Sequence, residues 1–482
     1  MKNFRIPIFN LLTFSNINSR ICVIFFLVVL NLLFFSHIDL AIIFFQTSYI
    51  FDSNIINYYD IFALDRRTID PSYPITTFLL IGLWLIPVKL LGYLIEGPTT
   101  GGILIWCKIL VVLFFVFNTL VISKILKFLK FKINFSDTFL ILLSSFWVFF
   151  PIIIFTQVDI FGITFLFLGM YYLLKKNIFL CAILFGISIT FKPFPLLAIL
   201  PILFLLEKNI GKLILAIFIL SLPYAILTFL YHDSDPYRQF VLGVGLIQNI
   251  FQPSIAGTSI KIYPFIYSII LFFSYSLKIN SNNSYWIFLI PSIVYGSLLG
   301  LISIYPHWML YFGVFFAISL LYIKDKSDLY LLECISIFTF LSWVTTYFSA
   351  NVDIYLVIWG PIRSLYRYLG LPSDVNVDFD LSSIYLLKYL IDVDVILTLF
   401  VATLFLIIIV LFYSLSKKRF KIFSLKTKNN DLIELKILFN SLILFIPAIF
   451  SLNIVTISTY ILMLTIILIH LYRKDLFKSI RF

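Results

Sequence analysis

The sequence predicts an all-α, polytopic membrane protein, and three observations predict it. The 482 residues are 62% hydrophobic and only 12% charged, whereas a soluble domain is about 25% charged and about 45–50% apolar. The core of a soluble domain stops growing at about 250–300 residues, so this much apolar surface needs lipid as its solvent. The apolar residues come in runs near span length, about 20 residues each. Lys and Arg gather in the short connections on one side of those runs, as the positive-inside rule requires. Water-soluble, disordered and fibrous classes are thereby excluded.

The elements follow in order. Lys2, Arg5 and Arg20 precede an apolar run at 21–37. No small-residue cleavage site follows it in Ser36-His37-Ile38-Asp39, so it reads as a retained first span. Further spans are predicted at 102–123, 135–153, 158–174, 178–192, 194–206, 213–231, 262–278, 285–303, 308–323, 329–349, 394–416, 433–451 and 453–472. That gives about 12–14 transmembrane helices, since some spans in polytopic bundles are short. The run 74–93 stands apart. If it crossed, the loop 124–132, with lysines and no acid, would lie outside. Kept on the outer face as a juxtamembrane or re-entrant helix, it leaves Lys175-Lys176, Lys208, Lys212, Lys324, Lys326, Lys417-Lys418-Arg419 and Arg473-Lys474 inside with the N-terminus.

Both termini are then cytoplasmic, and the first outer segment, 38–101, is long, aromatic and acidic. Two other outer loops are sizeable, 232–261 and 350–393. No soluble domain is attached. Chemistry belongs at the outer face, where free nucleotides are scarce, so an activated substrate there has to be lipid-linked.

Other classes lack their residues. Cys22, Cys107, Cys181 and Cys334 stand alone, with no CxxC, so zinc, iron–sulfur and disulfide frameworks are not expected. The four histidines are scattered, and there is no P-loop or GxGxxG. The net charge of +12 reads as inner-face lysine and arginine rather than nucleic-acid binding. Asp378/Asp380 and Asp392/Asp394 form DxD strings too short to signal a metal, and no cofactor is implied.

The candidate residues sit at outer span ends. Asp39 follows the first span, where a carboxylate held by a helix end can act as a general base. The segment 58–74 carries Asp65, Arg66, Asp70 and Tyr73. Acids and aromatics together suit a sugar, whose ring stacks on aromatic faces and whose hydroxyls bond carboxylates. Gln157 and Asp159 open a span, as a functional pair or with Asp159 as a helix cap. Lys192, in Phe191-Lys192-Pro193-Phe194-Pro195, sits at a proline-forced break, where it can snorkel or meet a lipid phosphate. His307 opens a later span in Tyr305-Pro306-His307-Trp308. Arg363 and Arg367 lie four apart and suit a phosphate or anionic headgroups.

Four of these elements form a pattern: Asp39 after the first span; Tyr73-Pro74-Ile75-Thr76; Gln157-Val158-Asp159, then Gly186 and Lys192-Pro193-Phe194-Pro195; and Pro306-His307-Trp308. In this the chain resembles the GT-C superfamily of integral-membrane glycosyltransferases. Within it, the chain is most similar to polyprenol-phosphate-mannose-dependent mannosyltransferases and relatives of the second mannosyltransferase of GPI-anchor synthesis. The resemblance covers roughly 36–206 and 300–323. Thr156 stands where the family usually has Gly, and Ile75 where a second Pro is common.

The resemblance implies a division into a cytoplasmic N-terminus (1–20), a GT-C-like transmembrane module with its outer loop (21–231) and a variable C-terminal transmembrane module (232–482). It implies an inverting transfer of a sugar, mannose in that subfamily, from a polyprenyl-phosphate sugar to an acceptor hydroxyl on a glycolipid, lipid-linked glycan or protein. Asp39 corresponds to the base. Lys192 and His307, from matched motifs, and Arg363 and Arg367, from charge and side, would meet the donor phosphate. Asp65, Arg66, Asp70, Tyr73, Gln157 and Asp159 would face sugar and acceptor. The membrane is then a prokaryotic plasma membrane or the ER. Two alternatives stay open: a flippase or transporter of lipid-linked oligosaccharide, and a surface-polysaccharide polymerase or ligase.

Overall fold

The computed structural model describes residues 17–35, 38–51, 55–64, 72–91, 101–243, 250–254, 258–302, 308–323, 326–347, 393–415, 433–434 and 436–443. Among them all regular structure is helical, and the β-type pairing is a bridge between Ser254 and Lys261. Asp65, Arg66, Asp70, His307, Arg363 and Arg367 lie outside the described residues, as do Asp378, Asp380 and Asp392.

In chain order the main helices are α1 (Ile17–Phe34), α2 (Ile38–Ser48), α3 (Tyr58–Leu64), α4 (Ile75–Leu90), α5 (Gly101–Phe128), α6 (Phe135–Ser144), α7 (Phe146–Phe149), α8 (Ile160–Leu174), α9 (Ile178–Phe191), α10 (Leu196–Leu206), α11 (Ile210–Leu230), α12 (Ile262–Ser276), α13 (Trp286–Leu301), α14 (Met309–Ser319), α15 (Ser327–Tyr347) and α16 (Val393–Leu415). Among the described residues, helices overlie the predicted runs from 21–37 to 394–416; the run 453–472 and part of 433–451 lie outside the described residues. Among the described residues, three stretches are long and apolar enough to cross a membrane: Leu104–Phe128, Ile210–Leu230 and Leu397–Leu415. The pair Phe135–Ser144 and Phe146–Ile154, bent by 93°, makes a fourth if taken as one span. Nine shorter apolar helices of 10–17 residues, from Ile24–Leu33 to Met309–Tyr322, are found among the described residues. On α11, Ile214, Phe218, Ile226 and Phe229 are exposed while Leu213, Ala216 and Leu220 are buried. Its bare face is therefore apolar, as a lipid solvent favours.

The lysine-rich turns have a shared construction. Lys130 and Lys176 take left-handed φ of 68° and 63°. Around Lys130, the Phe131 amide donates to the Leu126 carbonyl and the Lys130 amide to that of Lys127; Asn177, Tyr172, Lys176 and Leu173 repeat the arrangement. This is a Schellman C-cap with a cation at the negative end of the helix dipole. The next helices begin on asparagine caps: Asn134 accepts from the Asp137 amide at 2.8 Å, Asn177 from Leu180 and Asn209 from Lys212, each at 3.1 Å. Polar residues that sequence patterning assigns to connections thus close one helix and open the next.

One predicted run departs from a simple span. The run 135–153 breaks at Ser144-Ser145. A break frees backbone groups that lipid cannot satisfy, so protein must cover them. Glu333 accepts from the Phe146 amide at 2.7 Å and the Ser145 hydroxyl at 3.0 Å. Asn440 donates to the carbonyls of Leu143 and Ser144 at 3.2 and 3.0 Å. Lys436 lies 3.3 Å from the second Glu333 oxygen and donates to Asn440 at 3.1 Å. Glu333 and Lys436 are both buried, and they stand as an ion pair within a hydrogen-bonded network rather than as lone charges. After the break, α7 widens into a π-helix over Phe150–Ile154. It ends at Thr156, whose φ of 59° is left-handed.

Candidate functional site

The site is set by a helical hairpin. α8 has 15 residues and α9 has 14, antiparallel about the turn at Lys175–Asn177. At about 1.5 Å per residue they are matched in length, so the start of α8 and the end of α9 come level. Gly162 lets the helices close: a Cβ there would stand 3.2 Å from the Ser188 carbonyl, and the Ser188 hydroxyl donates to the Gly162 carbonyl at 2.6 Å. Asp159, just before α8, therefore meets Lys192, just after α9.

The Lys192 ammonium donates to both Asp159 oxygens, at 3.0 and 2.9 Å. The Asp159 side chain is 0% exposed and that of Lys192 is 16% exposed. Asp159 occupies the helix N-cap position yet makes no capping hydrogen bond; the cap expectation fails because its carboxylate is spent on Lys192 and Tyr73. Lys192 is extended, φ −166° and ψ 141°, as the residue before a proline must be. Its ammonium lies over the rings of Tyr73, Phe194 and Trp308 at 5.1, 5.7 and 5.6 Å, within cation–π range.

Tyr73 arrives from another part of the chain. Its hydroxyl donates to Asp159 at 3.4 Å. Burial, then the charges of Asp159 and Asp39, hold its phenol well above the usual tyrosine range, so the proton stays on for that bond. Tyr73 is fixed from behind, where the Tyr59 hydroxyl donates to its carbonyl at 2.9 Å. The following helix is tied to the end of α9, with the Thr77 hydroxyl on the Phe191 carbonyl at 3.2 Å. Tyr59 in turn packs against Tyr231 and Tyr237, ring centres 5.0 Å away in both cases.

Asp39 lies in the first turn of α2, where a carboxylate suits the helix dipole. Its charge acts on both Tyr73 and Asp159, so it belongs to the same centre. Gln157 is buried two residues before Asp159, and its side-chain oxygen accepts from the Val158 amide at 3.1 Å. On the far side Trp308 and Tyr311 pack on Phe194, ring centres 4.9 and 5.3 Å away.

The structure thus brings together Asp39, Tyr73, Gln157, Asp159, Lys192 and Trp308, which come from all four elements of the sequence pattern. No family model, no curated protein and no solved structure matches the chain. Chemically, the centre offers a half-buried carboxylate, a charge-matched Lys–Asp pair and a wall of aromatic rings.

Sequence reasoning missed Tyr311, and it missed the buried charges of Lys108, Glu333 and Lys436. Charges inside apolar runs were the available signal for these three, because a charge at that depth always needs a partner. Tyr311 gave no signal: a tyrosine in an apolar helix reads as packing.

Proposed function

We propose that this chain is an integral-membrane glycosyltransferase that moves a sugar, mannose by its resemblance, from a polyprenyl-phosphate sugar to an acceptor hydroxyl. The observation that supports it is the meeting of four separated motif segments around Lys192 and Asp159. Asp39 takes the proton of the acceptor hydroxyl. The acceptor oxygen forms a bond to the anomeric carbon as the bond from that carbon to the phosphate oxygen breaks, and configuration inverts. Polyprenyl phosphate leaves with the bonding electrons. Lys192, His307, Arg363 and Arg367 are the cations available to its charge, and such electrostatic stabilisation is the large term in a transfer of this kind. Tyr73, Gln157 and Asp159, with Asp65, Arg66 and Asp70 from the same outer segment, face the sugar and acceptor. No metal is implied by these roles.

Under this reading the shorter apolar helices cross as well, giving about 12–14 spans in a GT-C-like arrangement. The segment 38–101 then lies on the outer or lumenal face, with both termini cytoplasmic, in a prokaryotic plasma membrane or the ER. The acceptor is a glycolipid, a lipid-linked glycan or a protein.

A second reading, a flippase of lipid-linked oligosaccharide, is favoured by one observation. The helix broken at Ser144-Ser145, with charged side chains at the break, is a device transporters use.

The test is release of polyprenyl phosphate by purified wild type and Asp39→Asn. The assay uses a panel of polyprenyl-phosphate sugars with membrane lipid as acceptor. Turnover that falls at least about 100-fold in the variant, with folding unchanged, is expected, since a general base contributes about 10²–10⁴-fold. No turnover with any donor, alongside movement of lipid-linked glycan across liposomes, would replace the transferase with the flippase.

A further inference from the structure

The centre holds more hydrogen-bonding capacity than the protein uses. Among the described residues, the Tyr311 hydroxyl, the Thr156 hydroxyl and the Gln157 amide nitrogen are buried and have no hydrogen-bond partner. Tyr311 is 1% exposed, Thr156 1% and Gln157 3%. Orphaned groups occur elsewhere, but these three adjoin one ion pair. Thr156 and Gln157 lie three and two residues before Asp159, and the Tyr311 ring stacks on Phe194, over whose ring the Lys192 ammonium lies. Leaving a buried polar group unpaired costs about 1–3 kcal/mol, so such a cluster calls for a partner outside the chain.

The charges say what kind. Lys192 donates to both oxygens of Asp159, so beside these three groups the ion pair offers an anion no net positive charge. A phosphate is an acceptor only and would face the Asp159 carboxylate. A sugar hydroxyl both donates and accepts. It can accept from Tyr311, Thr156 or Gln157 and donate to Asp159, whose oxygens have about four lone-pair sites between them and, among the described residues, accept three hydrogen bonds. The rings of Phe194 and Trp308 supply the apolar face that a pyranose stacks on.

We infer that Tyr311, with Thr156 and Gln157, holds the hexose of the donor, and that its hydroxyl discriminates the sugar rather than the phosphate. This rests on the transferase reading above.

Tyr311→Phe removes only the unpaired oxygen and keeps the ring. Binding of a short-chain polyprenyl-phosphate hexose and of the same polyprenyl phosphate without sugar is measured on wild type, Tyr311→Phe and Thr156→Val, with a melting curve for each. Ser319→Ala, an orphan hydroxyl at the other end of α14, is the control. The expected result is a loss of about 5- to 20-fold in affinity for the hexose donor in Tyr311→Phe. Affinity for the sugar-free lipid stays within 2-fold of wild type, and the melting temperature is unchanged or higher. Thr156→Val follows the same pattern, and Ser319→Ala leaves both affinities alone. Equal loss for both lipids would put the phosphate at this hydroxyl and overturn the inference. Undiminished hexose binding in Tyr311→Phe would overturn it while leaving the transferase reading in place. A wild type that binds no hexose donor would remove both.

Discussion

Lys192 donates to both oxygens of Asp159, across 33 residues of sequence, at 3.0 and 2.9 Å. The pair exists because two helices of nearly equal length fold back about Lys175–Asn177 and close on each other at Gly162. It fixes the level at which every other site residue must arrive.

Removing one member should therefore cost more than removing both. Asp159→Asn leaves the ammonium without its counter-charge. The expected loss is about 2–3 kcal/mol, below the about 3–5 kcal/mol of a fully buried pair because Lys192 keeps 16% exposure. The double variant Asp159→Asn/Lys192→Met should recover at least about 1 kcal/mol of that loss. Thermal melting of the singles and the double in detergent checks this; additive losses would mean the charges are not coupled.

Thr156 should be improvable. A β-branched residue at φ 59° carries about 1–3 kcal/mol of backbone strain, and its hydroxyl is orphaned. Thr156→Gly is expected to raise the melting temperature, with a gain of about 1 kcal/mol after the entropy cost of glycine. A lower melting temperature would contradict the left-handed turn.

The broken helix depends on Glu333. Glu333→Gln uncovers the Lys436 charge and weakens the acceptor for Phe146 and Ser145, and should cost about 3–5 kcal/mol. Glu333→Gln/Lys436→Met should lie closer to wild type. Chemical denaturation of the three variants, read by circular dichroism, decides whether the network behaves as one unit.

Gly313 should not accept a side chain. A Cβ there would stand 2.5 Å from the backbone of Trp147, and small residues are what let membrane helices approach. Gly313→Ala is expected to cost about 1–3 kcal/mol. Gly211→Ala, near only the flexible end of Asn209, should be neutral within about 1 kcal/mol. Paired melting curves test the contrast.

Helix positions were legible because apolar run length is a direct record of a lipid solvent. The break at Ser145 was not, because the apolar run continues through it and the groups that cover it lie on α15 and around Lys436 and Asn440. The co-location of Asp39, Tyr73 and Asp159 came from the motif pattern, since no spacing rule brings residues 39 and 159 together. Asp159 as a helix cap was the reasonable local reading. It fails because a buried ammonium outbids backbone amides for a carboxylate. The role of Tyr311 is invisible in sequence, because only a structure reveals a hydroxyl with nothing to bond.

Lys108 is buried in α5, and its ammonium donates to the carbonyls of Leu32, at 2.6 Å, and Phe35. It closes the end of α1 from 76 and 73 residues further along the chain. During synthesis, α1 therefore emerges from the ribosome with its last carbonyls uncovered, and they stay so until α5 has been translated. The first helix can enter the bilayer early, but it cannot take its final depth alone. The end of α1, just before Asp39, is thus covered by a side chain that the chain supplies only when α5 is made.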